Sequence, residues 1–430
     1  MDGLCAALGR LSGGGRGRQA AAGGEVAELV GAGWFSFLFL LAGFFLLQPL
    51  RDEMALRLGQ DALPRLFFAT TLLTAALGAA VSRSRAVFNL VDAFHALVIG
   101  CVVFFWLLHL TAGRDEVSRA LFAGFYVSLS AVNLLLVAAI WSTLAEALTL
   151  ADAVAHYGFV ASGATLGQIL GSTAAWAAAL AAGDTLSLLL LAAAVFLGAA
   201  TFVGRLESGG SGLRRQTLSG PDAPRGADAV GPVALVCGSR PWRLAAAHIT
   251  CSSVVGSFFY FKKLAVVAAA QAGAPSAVAS LASIQVANGV TIALLQVVAT
   301  GRVLRGGLRR TLYVAPFVAA AAWALVAFAP SVGVVTCAEL GRKVAQHVFN
   351  KPAREAVFTA PAFNRRTPGE KARTKLVVDT LGQRGGDTLA ALALGGLGGS
   401  SGLASHAAFL AAAAAWAWAS WELGGAGAGG

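Results

Sequence analysis

Twelve apolar runs fill most of this 430-residue chain, and most are about as long as a helix needs to cross a bilayer, so a water-facing surface has nowhere to form. They fall at approximately 33–49, 64–82, 88–111, 119–145, 156–182, 185–205, 242–268, 276–300, 308–328, 332–350, 374–397 and 402–422. The runs are continuous and rich in Ala, Leu and Val, without the alternation of an outer-membrane barrel. In lipid, such segments satisfy their main-chain groups only as helices. Mean hydropathy is +0.72, and 12% of residues are charged. The expected fold class is therefore all-α integral membrane, with twelve transmembrane helices.

Basic residues set the topology. Of 32 Lys and Arg, 22 share one side if the N-terminus and the even-numbered loops lie together, 5 take the other side, and 5 lie inside runs. By the positive-inside tendency both termini are expected in the cytoplasm or its organelle equivalent. The net charge of +11 then needs no nucleic-acid partner; the expected partners are the lipid bilayer and a small-molecule solute. Residues 207–232, rich in Gly, Ser, Pro and Arg, break the chain after the sixth run. The expected organisation is an N-terminal tail (1–32), a six-helix half (33–206), a cytoplasmic linker (207–232), a second six-helix half (233–423) and a Gly-rich tail (424–430). The N-terminal tail is read as disordered, with an organelle transit segment as the alternative.

Two echoes relate the halves. "GFFLLQPLRDE" in the first run parallels "GSFFYFKKLAV" in the seventh, and "SRSRAVF" parallels "GRVLRGGLRRTL". Parallel halves are the layout of major-facilitator transporters, with a solute site near the midplane between them.

Charged residues inside the runs are the candidate site, because an ionised group at the centre of a membrane helix costs at least about 2.5 to 3.5 kcal/mol and so faces a cavity or a partner. Lys375, Asp379, Gln383 and Asp387 recur every fourth residue on one stripe, with Arg384 placed to pair with Asp387. Arg354 and Glu355 stand just before that helix. Glu339, Lys343, Gln346 and Asn350 share another face. Arg51, Asp52 and Glu53 end the first run, Glu146 ends the fourth, and Lys262 and Lys263 follow a run of aromatics in the seventh. Arg51 also fits a charge snorkelling to the membrane edge. Gly163, Gly167 and Gly171, four apart, form a strip on which another helix backbone packs closely. Asp92 and His95 form a candidate polar pair, since His109 lies about 21 Å further along the helix and leaves no metal ligand set. No GxxxxGK[ST], HExxH or GxSxG motif is present, so neither an ATP-driven pump nor a membrane hydrolase is expected, and no cofactor.

"WSTLAEALTLADAVAHYGFVASGATLGQILG" (141–171), "ASIQVANGVTIALLQVVATGRVLRGGLRRTL" (282–312), "FNKPAREAVFT" (349–359), "EKARTKLVVDTLGQRGGDTLA" (370–390) and "PLRDE" (49–53) resemble the ATP/ADP translocase family, the nucleotide-antiporter branch grouped with major-facilitator folds. The resemblance implies exchange of one nucleoside phosphate for another through a basic cavity. It assigns Arg51 the positive role late in the first helix, Glu146 the acidic role ending the fourth, and Lys262 the basic role in the seventh. Lys375 and Asp379 match the Lys and Asp of the eleventh. The chain departs from that pattern at Gln48, where the family has Arg, at Phe258, where it has Glu, and at Asp387, where it has Lys. Taken together, these readings predict a secondary carrier for an anionic, phosphate-bearing solute. The alternatives are a carrier for a different solute and a scaffold whose charges are structural pairs.

Overall fold

The structure, a computed structural model, describes residues 18–59, 62–83, 89–111, 115–148, 150–180, 186–218, 231–270, 278–295, 306–363, 370–396 and 402–428. Twelve long helical segments follow the twelve apolar runs in order. The first six are α1 (Arg18–Leu58), α2 (Leu63–Arg83), α3 (Leu90–Leu110), α4 (Asp115–Ala147), α5 (Leu150–Leu180) and α6 (Ser187–Leu218). After a short helix at Pro232–Gly238 come α7 (Arg240–Ala270), α8 (Val278–Leu295) and α9 (Leu308–Phe328). Segment α10 starts as an α-helix, Val332–Val344, passes through a π-helical stretch, Ala345–Asn350, and resumes at Lys351–Val357. The last two are α11 (Glu370–Gly396) and α12 (Leu403–Ala428).

Among the described residues, eight helices are long and apolar enough to cross a membrane. The remaining four, α5, α8, α10 and α11, carry the glycine strip, the amides and most of the buried charge. Neighbouring helices shield them: α5 packs on α8, and α11 lies between α7 and α2. Large apolar side chains such as Phe68, Leu110, Leu180, Phe328 and Leu403 point outward and form the lipid-facing surface of a multi-pass membrane protein.

The helices outrun the apolar stretches at three places, each with a local reason. α1 begins at Arg18 rather than near residue 33, and its early turns bury Leu29 and Val30. α6 continues past residue 206 because Leu206 is fully buried and the Glu207 carboxylate accepts from the Leu90 amide at the start of α3 (2.9 Å), a capping contact for an otherwise unpaired donor. α12 runs to Ala428, and Gly424 lets the Arg309 backbone approach where a Cβ would collide. Residues 1–17 and 219–230, parts of the expected tail and linker, lie outside the described residues.

The glycine strip does what its spacing implies. A Cβ at Gly163, Gly167 or Gly171 would overlap the α1 backbone at Trp34, Leu38 or Ala42. Trp34 Nε1 also donates to Ser162 Oγ (3.0 Å). Asp92 and His95 both point outward and do not bond to each other. Asp92 sits in the first turn of α3, where a carboxylate faces the helix dipole instead.

An apolar core of α1 and α3–α6 holds the first half together, and a second core gathers α7 and α9–α12. A separate cluster joins the halves: Ala55, Leu63, Leu66, Phe67 and Tyr126 pack against Leu264, Val267, Leu281, Ile284 and Ala391. All ten sit toward the end bearing the α1–α2 and α7–α8 turns. Leu135 and Ala138 of α4 meet Leu376 of α11 nearer the opposite end. Polar links cross the same boundary. Thr71 Oγ1 donates to the Arg384 carbonyl (3.0 Å) and lies 2.6 Å from Thr388 Oγ1, while Gln168 Nε2 donates to the Gln285 carbonyl (3.1 Å).

Candidate functional site: a charged cavity between the halves

A cavity of about 320 Å³ lies between the halves, with walls from α1, α4, α7, α10 and α11. This volume is at the lower end of the range common for small-molecule sites. Among the expected site residues, Arg51, Arg354, Asp379, Arg384 and Asp387 line it. Lys262 and Lys263 do not, and Asp52, Glu355 and Lys375 stand behind the wall as partners of lining residues. Glu146 ends α4 as expected, but its side chain is outside the described residues.

Toward one end, two guanidinium groups meet on α4. Arg51 makes two bonds to Asp52 Oδ1 (2.6 and 3.0 Å), and its Nη1 donates to Ser130 Oγ (3.2 Å). The Ser130 carbonyl accepts from Arg384 Nη2, which belongs to the other half. Arg384 Nη1 donates to Asp387 Oδ2 (3.0 Å), the i,i+3 pair that the sequence spacing implies. Ser253 and Ser257, one turn apart on α7, both donate to the second Asp387 oxygen (2.5 and 2.7 Å). Tyr260 Oη crosses the boundary to Asp52 Oδ1 (3.1 Å), and the Arg51 guanidinium lies 5.1 Å from the Tyr126 ring centroid. Pro49, two residues before Arg51, removes a main-chain donor within α1. Each positive charge here has a carboxylate in contact.

At the other end of the cavity, four charges alternate in a closed set. Arg354 Nη2 approaches Glu355 Oε1 (2.7 Å) and Asp379 Oδ1 (3.9 Å), and Lys375 Nζ approaches Glu355 Oε2 (2.9 Å) and Asp379 Oδ2 (2.5 Å). Glu355 and Lys375 are 0% exposed. Two cations and two anions sum to zero, which is how such a set persists away from water.

Along α10, Arg342, Gln346, His347, Lys351 and Arg354 all face the cavity. In an unbroken α-helix, at about 100° per residue, nine positions would set Lys351 opposite Arg342. The π-helical stretch absorbs one residue, so that the separation behaves like eight positions and Lys351 returns to the cavity. Pro352, lacking a main-chain donor, sits at the start of the resumed α-helix, a position that tolerates it. Around Glu339, Arg342 pairs at 2.8 Å and Lys343 at 3.8 Å, and Lys343 Nζ also donates to Gln285 Oε1 (3.0 Å). Lys263 is buried, its ammonium 5.2 Å from the Tyr260 centroid.

Sequence reasoning missed Ser130, Ser253, Ser257 and Tyr126, whose hydroxyls and rings carry no signal against an apolar background. It placed Lys351 in a loop because the apolar run ends at residue 350. Pro352 within a helical pattern was the one available sign of a disturbed register.

No protein-family model matches the chain, and no curated protein matches it. Solved structures do. The human organic anion transporter MFSD10 superposes with a TM-score of 0.58 at 17% identity, covering 93% of this chain and 99% of that one. The proton:xylose symporter XylE, bound to 6-bromo-6-deoxy-D-glucose, superposes with a TM-score of 0.58 at 14% identity, covering 94% of this chain and 93% of that one. The chain therefore has the fold of the major facilitator superfamily: an all-α integral membrane protein of two six-helix halves.

Proposed function

We propose that the chain is a secondary carrier that moves an anionic, phosphate-bearing small solute by alternating access, with both termini in the cytoplasm and residues 33–206 and 233–423 rocking as two bodies. One observation supports this most: the cavity between the halves is lined by Arg51, Arg342, Lys351, Arg354 and Arg384 against only Asp379 and Asp387 as carboxylates. An excess of guanidinium and ammonium groups in a low-dielectric cleft favours a phosphate or carboxylate. The family resemblance makes a nucleoside phosphate the first solute to try. The sealed pair Glu355–Lys375 favours a structural role for those two groups, and it is the observation behind the second reading, a non-transporting scaffold.

Proteoliposomes loaded with ADP and offered labelled ATP test the nucleotide reading; loading with inorganic phosphate or a sugar phosphate tests the broader one. Exchange is expected with at least one phosphate-bearing pair and not with uncharged adenosine. Uptake that is absent for every such pair counts against the carrier.

A further inference from the structure

Which cations hold the solute follows from which ones are already neutralised. Arg51 is matched by Asp52, Arg384 by Asp387, and Arg354 and Lys375 by Glu355 and Asp379. What remains is on or beside α10. Glu339 is the carboxylate of its cluster: it accepts two bonds from Arg342 (2.8 and 3.1 Å) with Lys343 3.8 Å away, so one anion serves two cations there. The Lys351 ammonium makes no hydrogen bond or ion pair with any described residue, although the side chain lines the cavity. Glu355 and Asp379 reach it only as longer-range charges.

A surplus of buried positive charge is unstable in a bilayer unless an anion completes it. On α4, Trp141 also lines the cavity, its ring packed on Phe37 and Tyr157, and its buried Nε1–H has no partner among the described residues.

We infer that the solute anion is held on the α10 wall by Lys351 and Arg342, with Trp141 lining the α4 side, and that Arg384 ties the halves together while Arg51 stays with Asp52, neither of them holding the solute. Lys263 and Lys343 add positive potential behind the wall without touching the ligand. Because more than one cation is left over, the site fits a solute carrying two or more negative charges, such as a phosphate ester or a nucleoside diphosphate, in preference to a monoanion. This inference rests on the anion-carrier reading above and adds the residues and the charge of the solute to it.

Detergent-solubilised full-length protein, titrated with inorganic pyrophosphate, with ADP and with uncharged adenosine, tests the inference through thermal-shift affinity. Wild type is expected to bind pyrophosphate and ADP and to ignore adenosine. Arg342→Gln and Lys351→Gln should each weaken the anions by roughly tenfold or more, Lys351→Arg should recover most of the loss, and Trp141→Phe should weaken them less. If wild type binds neither anion, the carrier reading falls and this inference with it. If wild type binds them and Lys351→Gln binds equally well, the α10 assignment alone is overturned. Loss in Lys351→Gln that Lys351→Arg does not repair also overturns it, since that pattern marks a packing defect.

Discussion

Gly167→Leu is expected to yield no folded first half. At this position a Cβ alone already overlaps the Leu38 carbonyl and crowds the Ala42 amide (3.0 Å), so the obstruction is main chain and no rotamer relieves it. The two helices would have to separate, which gives up the α1–α5 contact and the Trp34–Ser162 bond along with it. Overpacking of a core commonly costs about 1 to 3 kcal/mol; against a helix backbone the expected cost is above that range. The measurement is gel filtration of a fluorescent fusion, where the monodisperse peak should vanish. Gly100→Leu is the matched control: nothing lies within 4 Å of its missing Cβ, and its peak should survive.

Lys375→Met is the second large effect. Removing the ammonium leaves Glu355 and Asp379 sharing Arg354, so one buried carboxylate loses its partner. Breaking a buried ion pair from one side costs about 3 to 5 kcal/mol, whereas removing both charges is often neutral. Melting of the purified protein should therefore fall sharply for Lys375→Met and recover by more than half for Lys375→Met/Asp379→Asn, which restores one cation and one anion. An additive double variant would mean that the four groups are not a coupled set.

How much of this was open to the eye in the amino-acid sequence depended on the range of the interaction. The helix count followed from run lengths because bilayer thickness sets them, and the Arg384–Asp387 pair and the α5 glycine strip followed from spacing on a single helix. Contacts between helices were not legible in the same way. Nothing in the sequence joins Ser253 and Ser257 to Asp387, or Tyr260 to Asp52, because those contacts are made by the packing of separate helices. The charge balance was hidden for the same reason: Arg51 and Lys351 look alike as isolated cations, and only the folded neighbourhood shows that one is neutralised and the other is not. The helix ends were underestimated wherever the extension is held by a partner such as Leu90 or Arg309 rather than by apolarity.

Ser130 takes on a particular meaning under the alternating access proposed above. Its carbonyl is engaged twice, once within α4 as in any helix interior and once by Arg384 from across the boundary. A carbonyl oxygen has two lone pairs, so when α11 withdraws, α4 keeps its own ladder intact and loses only the visitor. The seam is thus perforated at a point where tearing damages neither sheet of the fabric, and at that point the work of separation falls on rehousing one guanidinium.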